Sequence, residues 1–373
     1  MRAYLDWNAT TPPLAEVLDA MREAAGRAWA NPSSVHADGR AARAVIEDAR
    51  ASVAALAGTD PRDVVFTSGG TEANNLALRS AFSTGGAPAA LVTSRLEHPS
   101  VTRVAEALER EGRARVRWLE VTPDGAIDLD DLDRALEAAP ALVTVQAVNH
   151  ETGVLSPVAE VIARARAAGV RVHVDAVQGW GKIDVPAGWD TASVAPHKMR
   201  GPKGIGALAT RAGARLEPVL AGGSQEKGIR PGTIDAALAA GFGVAARIAA
   251  RSAARWAALG PLRDRIEREL LAIDAPRGRA RVAGAPARRA PHVSNLIWPG
   301  WIGAELVAAL DLEGVSVSSG AACSAGTVEP SPVLLAMLGA ADAARGVRVS
   351  IGDATTEDDA SRAVRAFRAV LGR

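Results

Sequence analysis

Between residues 15 and 250 the sequence alternates between short runs rich in β-branched apolar residues and longer stretches rich in Ala, Arg and Glu. This order constrains the fold more than any other feature. Consecutive parallel strands need a long crossover, and a helix is the segment that fills it while covering the sheet. Strands are predicted at 63–68, 90–94, 142–148, 170–177 and 206–210. Two of them are near-continuous apolar runs, the pattern of strands buried on both faces. The expected fold class is therefore α/β, a mostly parallel sheet flanked by helices. Further on, a long helix is predicted over about 243–271, then a Pro/Arg-rich surface loop at 275–291 and a strand around 293–298. Another helix and a Gly/Ser-rich loop around the single cysteine, Cys323, complete what reads as a second, smaller α+β domain.

At 373 residues, 48% hydrophobic and 23% charged, the composition is that of an ordinary globular protein with room for two domains. The formal charge of +1, with arginines and acids interspersed, leaves no electrostatic footprint for stable nucleic-acid binding. No apolar run approaches the roughly 20 residues that span a bilayer, and the opening MRAYLDWNATTPP lacks the order of a signal peptide. A cytoplasmic protein is expected. Only Lys182, Lys198, Lys203 and Lys227 stand against 39 arginines. A guanidinium forms no Schiff base at neutral pH, so each retained lysine is a candidate for amine chemistry.

Four segments carry chemistry. FTSGGT (66–71) runs from a strand into a helical stretch; bare backbone N–H groups there suit a phosphate, and a tight turn capped by Thr71 is the plainer alternative. VHVDAVQ (172–178) ends an apolar strand on Asp175, where a carboxylate needs a cationic ligand or one of the many arginines as partner. VAPHKMRGPKGIG (194–206) sets His197 and Lys198 on a turn, either as a nucleophilic amine or as a solvated charge. VSSGAACSAGTVEP (317–330) surrounds Cys323 with small residues, a setting for an accessible nucleophilic thiol more than for a packing one. No P-loop occurs, and the G-x-G-x-x-A match at 241–246 lies in a helical pattern after no strand. The six histidines never fall at H-x-x-x-H spacing and a lone cysteine closes no zinc site, so no metal is expected.

Taken together, LDWNATT, NPSSVHADGR, FTSGGTEANNLAL, EHPSV, VNHETG, HVDAVQ, HKMRGPKGIGAL, GGSQEKGIRPGT and SSGAACSAG occur in the order in which the cysteine desulfurases carry them, and the chain resembles that family from end to end. The resemblance implies a fold type I pyridoxal-phosphate enzyme whose large domain, residues 15–250, holds a mostly parallel seven-stranded sheet. A small domain from both chain ends, 1–14 and 251–373, would carry the cysteine loop at about 317–332, and two copies would form a homodimer. Lys198 would bind the cofactor covalently, Asp175 would pair with its pyridine nitrogen and His98 would stack on its ring. Asn149 and Gln178 would hydrogen-bond the phenolic oxygen. Gly70, Thr71 and His197 would hold the phosphate, with Thr233 reaching across from the second subunit. Arg348, helped by Asn149, would fork onto the substrate carboxylate.

The implied reaction takes L-cysteine to L-alanine, with Lys198 moving the α-proton and Cys323 taking the sulfur as a persulfide for an acceptor protein. The acceptor would serve iron–sulfur clusters, thiolated tRNA or a molybdenum cofactor. Three positions depart from the family: Ala195 replaces a Ser or Thr that binds phosphate, Asp353 stands where arginine is common, and His150 where Asn is frequent. Some relatives dock an iron–sulfur scaffold through a C-terminal tail not seen before Arg373, so the chemistry is the firmer expectation and the destination of the sulfur the open one. Other readings are a selenocysteine lyase, an aminotransferase or epimerase on the same fold, or a non-catalytic sulfur relay.

Overall fold

The structure, a computed structural model, describes residues 2–82, 88–274, 279–320 and 330–372. The short strand β1 (Ala3–Tyr4) leads to helices α1 (Ala15–Arg27) and α2 (Ala37–Ala57). The predicted alternation follows: β2 (Val64–Thr67), α3 (Gly70–Ala81), β3 (Ala89–Ser94), α4 (Pro99–Arg110), β4 (Ala114–Leu119), α5 (Leu129–Leu136), β5 (Leu142–Gln146), α6 (Val158–Ala167), β6 (Arg171–Asp175), β7 (Thr191–Val194) and β8 (Gly206–Thr210). Then come α7 (Ala236–Ala249), α8 (Ala253–Ala257), α9 (Gly260–Asp274), β9 (Arg281–Val282), β10 (Val293–Ile297), α10 (Gly303–Leu312) and β11 (Val315–Ser316). The chain closes with α11 (Pro332–Leu338), α12 (Ala340–Ala343), β12 (Gly346–Ser350) and α13 (Glu357–Leu371).

Strands β2 to β8 form one seven-stranded sheet in the order β2-β8-β7-β6-β5-β3-β4. It is the mostly parallel α/β sheet expected, with β8 alone antiparallel to both its neighbours. Its central strands are apolar on both sides because both faces are covered. Val145 and Val174 share a core with Val17, Ile46 and Phe242 of α1, α2 and α7, while Leu91, Leu142 and Leu208 pack with Leu76 and Leu108 of α3 and α4. A second, three-stranded sheet, β12-β10-β9, lies with α9, α10 and α13 around a separate core that includes Leu5 of the N-terminal segment.

Two expectations change. The strands predicted to reach Val148 and Val177 stop at Gln146 and Asp175, because the chain turns away there to line a cavity. The single helix predicted over 243–271 is instead three, α7, α8 and α9. Ser252 ends the first by turning its hydroxyl back onto Ala249 O and Gly181 O, and Pro261, which has no N–H to donate, is accepted only in the first turn of the third. The discarded 241–246 match lies within α7. Of the predicted 275–291 loop, 275–278 fall outside the described residues, and the remainder includes β9.

Candidate active site

The carboxyl ends of β5, β6 and β7 and the first turn of α3 meet at a cavity of about 200 Å3. This is the crevice where ligands bind in open α/β sheets. Gly70, Thr71, His98, Asp175, Gln178, His197, Lys198 and Arg348 all line it. Asn149 and Thr233 do not: Asn149 is buried behind the wall and Thr233 is exposed on the loop before α7.

The turn into α3 is built for close approach. Gly69 precedes the helix with no side-chain cap, and Thr71 lies inside the first turn, so the plainer reading of Thr71 as cap is replaced by bare N–H groups. A Cβ on Gly206 would sit 2.6 Å from Gly69 Cα, and one on Gly70 would sit 2.7 Å from Val177 Cγ2. His197 adds a ring whose Nδ1 lies 3.2 Å from Thr10 Oγ1, its pKa pushed down to about 3 by burial and by Lys198, Lys182 and Lys203. Ala195 contributes only a methyl group, so an anion here has one hydroxyl fewer than the family pattern provides.

At the end of β6 the Asp175 carboxylate has no arginine partner among the described residues. Oδ1 accepts from Val177 N at 3.1 Å and Oδ2 from Asn74 Nδ2 at 2.8 Å. Asn74 is a site residue that sequence reasoning missed, though it lies in the quoted FTSGGTEANNLAL. Its Nδ2 also donates to Ser100 Oγ at 2.8 Å, and its Oδ1 takes His173 Nε2 at 3.0 Å. Ser100 Oγ in turn lies 2.8 Å from His98 Nδ1. Since the Ser100 backbone N–H can only donate, and reaches His98 Nδ1 at 3.1 Å, that nitrogen carries the lone pair and the proton sits on Nε2. Burial keeps His98 neutral, against the opposing pull of Asp175 and with the help of Lys198.

Beside Asp175 stands Glu97, 3% exposed, whose Oε1 accepts from Gln146 N at 2.7 Å. Burial first, then the Asp175 charge, pushes its pKa up to about 8. A carboxyl raised this way is protonated in the folded chain while the unfolded chain ionises above its ordinary 4.5, so the stability it permits is full at low pH and is lost as pH rises towards 8. Glu97→Gln should remove that loss: relative to the variant, the wild type should lose roughly 1 kcal/mol per pH unit between pH 5 and 8, read from urea unfolding midpoints. Parallel profiles for the two proteins would show that Glu97 is ionised in the fold.

Lys198 sits in a 3-10 turn, Pro196–Lys198, and its Nζ donates to Asn8 O at 2.7 Å and Ala9 O at 2.9 Å. Asn8 is a second missed residue. Its carbonyl also accepts Gln178 Nε2 at 2.9 Å, while its side chain bridges His150 O and His292 Nε2. Arg348, on β12 and 2% exposed, donates from Nη2 to Asp6 Oδ1 at 2.7 Å and from Nη1 to His150 O at 3.0 Å. Its Nε and both ring nitrogens of His150 are buried without a hydrogen-bond partner among the described residues. His150 meets His98 edge-to-face at 5.1 Å and is held neutral by burial first, and further by the charges of Arg348 and Lys198. Buried orphan donors facing a cavity mark where ligand atoms belong.

Asn149 is committed elsewhere. Its Oδ1 accepts from Glu151 N, Thr152 N and Thr152 Oγ1, and its Nδ2 donates to Leu96 O at 3.1 Å, leaving one hydrogen for any ligand. Asp353 pairs with Arg200 and Arg255 at 2.9 and 3.1 Å, so the usual arginine is exchanged for an acid held by two others. Cys323 lies outside the described residues. On either side of its segment, Ser318 exchanges backbone hydrogen bonds with Arg348, and Ser331 Oγ donates to Glu151 Oε2 at 2.6 Å.

These residues fit pyridoxal phosphate group by group. The helix N-terminus and His197 suit a phosphate, Asp175 a pyridinium, Lys198 an aldehyde, and Gln178 with its Nε2 donor a phenolate. Sheet and cavity together define the class, a fold type I pyridoxal-phosphate transferase. The chain matches the aminotransferase class-V family over residues 3–362 and belongs to it. It is 41% identical to the cysteine desulfurase of Frankia sp. (strain EuIK1), over 95% of this chain and 88% of that one. Identity to the cysteine desulfurase of Cereibacter sphaeroides is 39%, over 97% and 93% of the two chains. A solved NifS-like protein superposes with a TM-score of 0.91 at 29% identity over all of both chains. SspA in complex with cysteine does so with a TM-score of 0.81 at 29% identity, over 95% and 100%.

Proposed function

We propose that this protein is a pyridoxal-phosphate-dependent cysteine desulfurase that converts L-cysteine to L-alanine and leaves the sulfur as a persulfide on Cys323. The observation that carries this reading is the convergence of Lys198, Asp175 and Arg348 on one cavity. Pyridoxal phosphate bound there supplies an electron sink for charge developing at the substrate α-carbon. Gly70, Thr71 and His197 would hold its phosphate, Asp175 its pyridine nitrogen and Gln178 its phenolic oxygen, Asn149 being set back from the cavity. His98, neutral and protonated on Nε2, would cover its ring.

Arg348 receives the substrate carboxylate. Its fork already carries Asp6, so substrate must displace or share that carboxylate, and Nε, without a partner among the described residues, is the donor ready to take it. Lys198 leaves the Asn8 and Ala9 carbonyls, takes the α-proton on Nζ and returns it to carbon. The Cys323 thiolate attacks the substrate sulfur: an S–S bond forms, the C–S bond breaks, and its electron pair goes to the substrate, which is protonated to alanine. An acceptor protein then removes the outer sulfur. Thr233, exposed on a loop tied to α3 by the Arg230–Glu72 ion pair at 3.0 Å, is the residue offered to a second subunit's phosphate site. Among the described residues no helix is long and apolar enough to cross a membrane.

Incubation with L-cysteine should release alanine and add sulfur to the Cys323 peptide, read by mass spectrometry. Cys323→Ser should keep the cofactor's visible absorption and lose alanine formation at least about a hundredfold. Alanine formed by Cys323→Ser at the wild-type rate would sink the persulfide route.

A further inference from the structure

Of the four lysines in this arginine-rich chain, Lys182 is fully buried, 2% exposed, and the reaction as derived does not use it. It ends the turn after β6, where Gly181, at φ 75°, lets the backbone press on α7: a Cβ there would lie 2.8 Å from Ala249 Cβ. Among the described residues no carboxylate pairs with it. Its Nζ donates to Gln178 Oε1 at 2.8 Å and stands 5.2 Å from the Trp256 ring centroid. Burial, with Lys198 and Arg348 nearby, holds its amine well below the ordinary lysine range. His292 also faces this region and is kept neutral by burial and by Lys182 itself. Arginine stays protonated in any such setting, whereas a lysine amine can shed its charge there.

The contact sets the direction of an amide. Asn8 O can only accept, and it takes Gln178 Nε2 at 2.9 Å. Oε1 must therefore face Lys182, a conclusion that follows from donor and acceptor chemistry alone. The second Nε2 hydrogen is left for the cavity that Gln178 lines. Asn8 O also accepts Lys198 Nζ at 2.7 Å, so a continuous path runs from Lys182 through Gln178 and one carbonyl to the reactive amine.

We propose that Lys182 is a positioning residue for pyridoxal phosphate: it locks the Gln178 amide with its N–H towards the cofactor's phenolic oxygen. The inference rests on the cofactor assignment made above. Without Lys182, Gln178 Oε1 is a buried acceptor with no donor and the amide has reason to swing away. The phenolic oxygen then loses a donor, keeps more negative charge and stabilises a proton on the neighbouring nitrogen.

The test is a pH titration of the holoenzyme's visible absorption, with cofactor affinity measured alongside. Lys182→Met should raise the absorption midpoint by about half to one pH unit and weaken cofactor binding about tenfold. Gln178→Leu should move the midpoint the same way, and Lys182→Met should add nothing further in that background. If the methionine variant does not fold, Lys182→Gln, with a shorter uncharged stem, should show the same shift at smaller size. A folded Lys182 variant with lowered Tm and an unmoved midpoint, or additive shifts in the double variant, overturns the proposal. A wild-type protein with no visible band after loading would instead overturn the cofactor assignment.

Discussion

Lys198→Ala should abolish alanine formation from cysteine, by at least about a thousandfold, and should remove the visible band of covalently held cofactor without unfolding the protein. The size follows from the two tasks that meet on one nitrogen, covalent capture and proton transfer, the second alone worth about 10²- to 10⁴-fold. Folding should survive because Asn8 O, one of the two carbonyls that bind Nζ, keeps the Gln178 donor. Lys198→Arg should fail equally, since a guanidinium cannot serve as the nucleophile. The checks are alanine yield, the absorption spectrum and a melting curve taken together. A variant with normal spectrum and turnover would move the cofactor to another amine.

Asp175→Asn should cost about 10²- to 10³-fold in turnover, comparable with the loss of other fixed electrostatic stabilisers. The amide is almost isosteric, so the cavity keeps its shape, but the charge opposite a pyridinium is gone. Val177 N and Ser193 Oγ face Oδ1 at 3.1 and 3.4 Å and Asn74 Nδ2 faces Oδ2 at 2.8 Å, and an amide keeps an acceptor on only one of these two sides. A second consequence separates charge from shape. Because Asp175 helps to push Glu97 up to about 8, its neutralisation should bring the Glu97 midpoint down, towards but not to the ordinary carboxyl value, since burial remains the larger cause. NMR titration of the Glu97 side chain in both proteins would read this directly. An unchanged midpoint would mean that burial alone sets it.

The α/β sheet was legible because strands buried on both faces leave a short apolar run that few other structures need, as at 142–146 and 171–175. The reversal of β8 was not, since an apolar strand reads alike in either direction. The break of 243–271 into separate helices was also hidden: Ser252 and Gly260 are tolerated within a helical pattern, and it is contact with Gly181 O that makes Ser252 a stop. Among the site residues, Lys198, Asp175, His197 and the turn at Gly70 stood out because rare or costly side chains sat at strand ends. Asn74, Asn8 and Asp6 did not, being ordinary polar residues whose importance lies wholly in what they touch.

Residue types, their order along the chain and the chemistry each can perform were present in the sequence alone. Partnership was decided by the tertiary structure. Asn8 finds His292, 284 residues away, and Arg348 finds Asp6, 342 away, and no local pattern records either meeting. The same holds for states that depend on surroundings: the direction of the Gln178 amide and the neutral Glu97. Each is set by burial and by donors and acceptors brought together from distant segments, because desolvation and hydrogen-bond direction act through space and are indifferent to position in the chain.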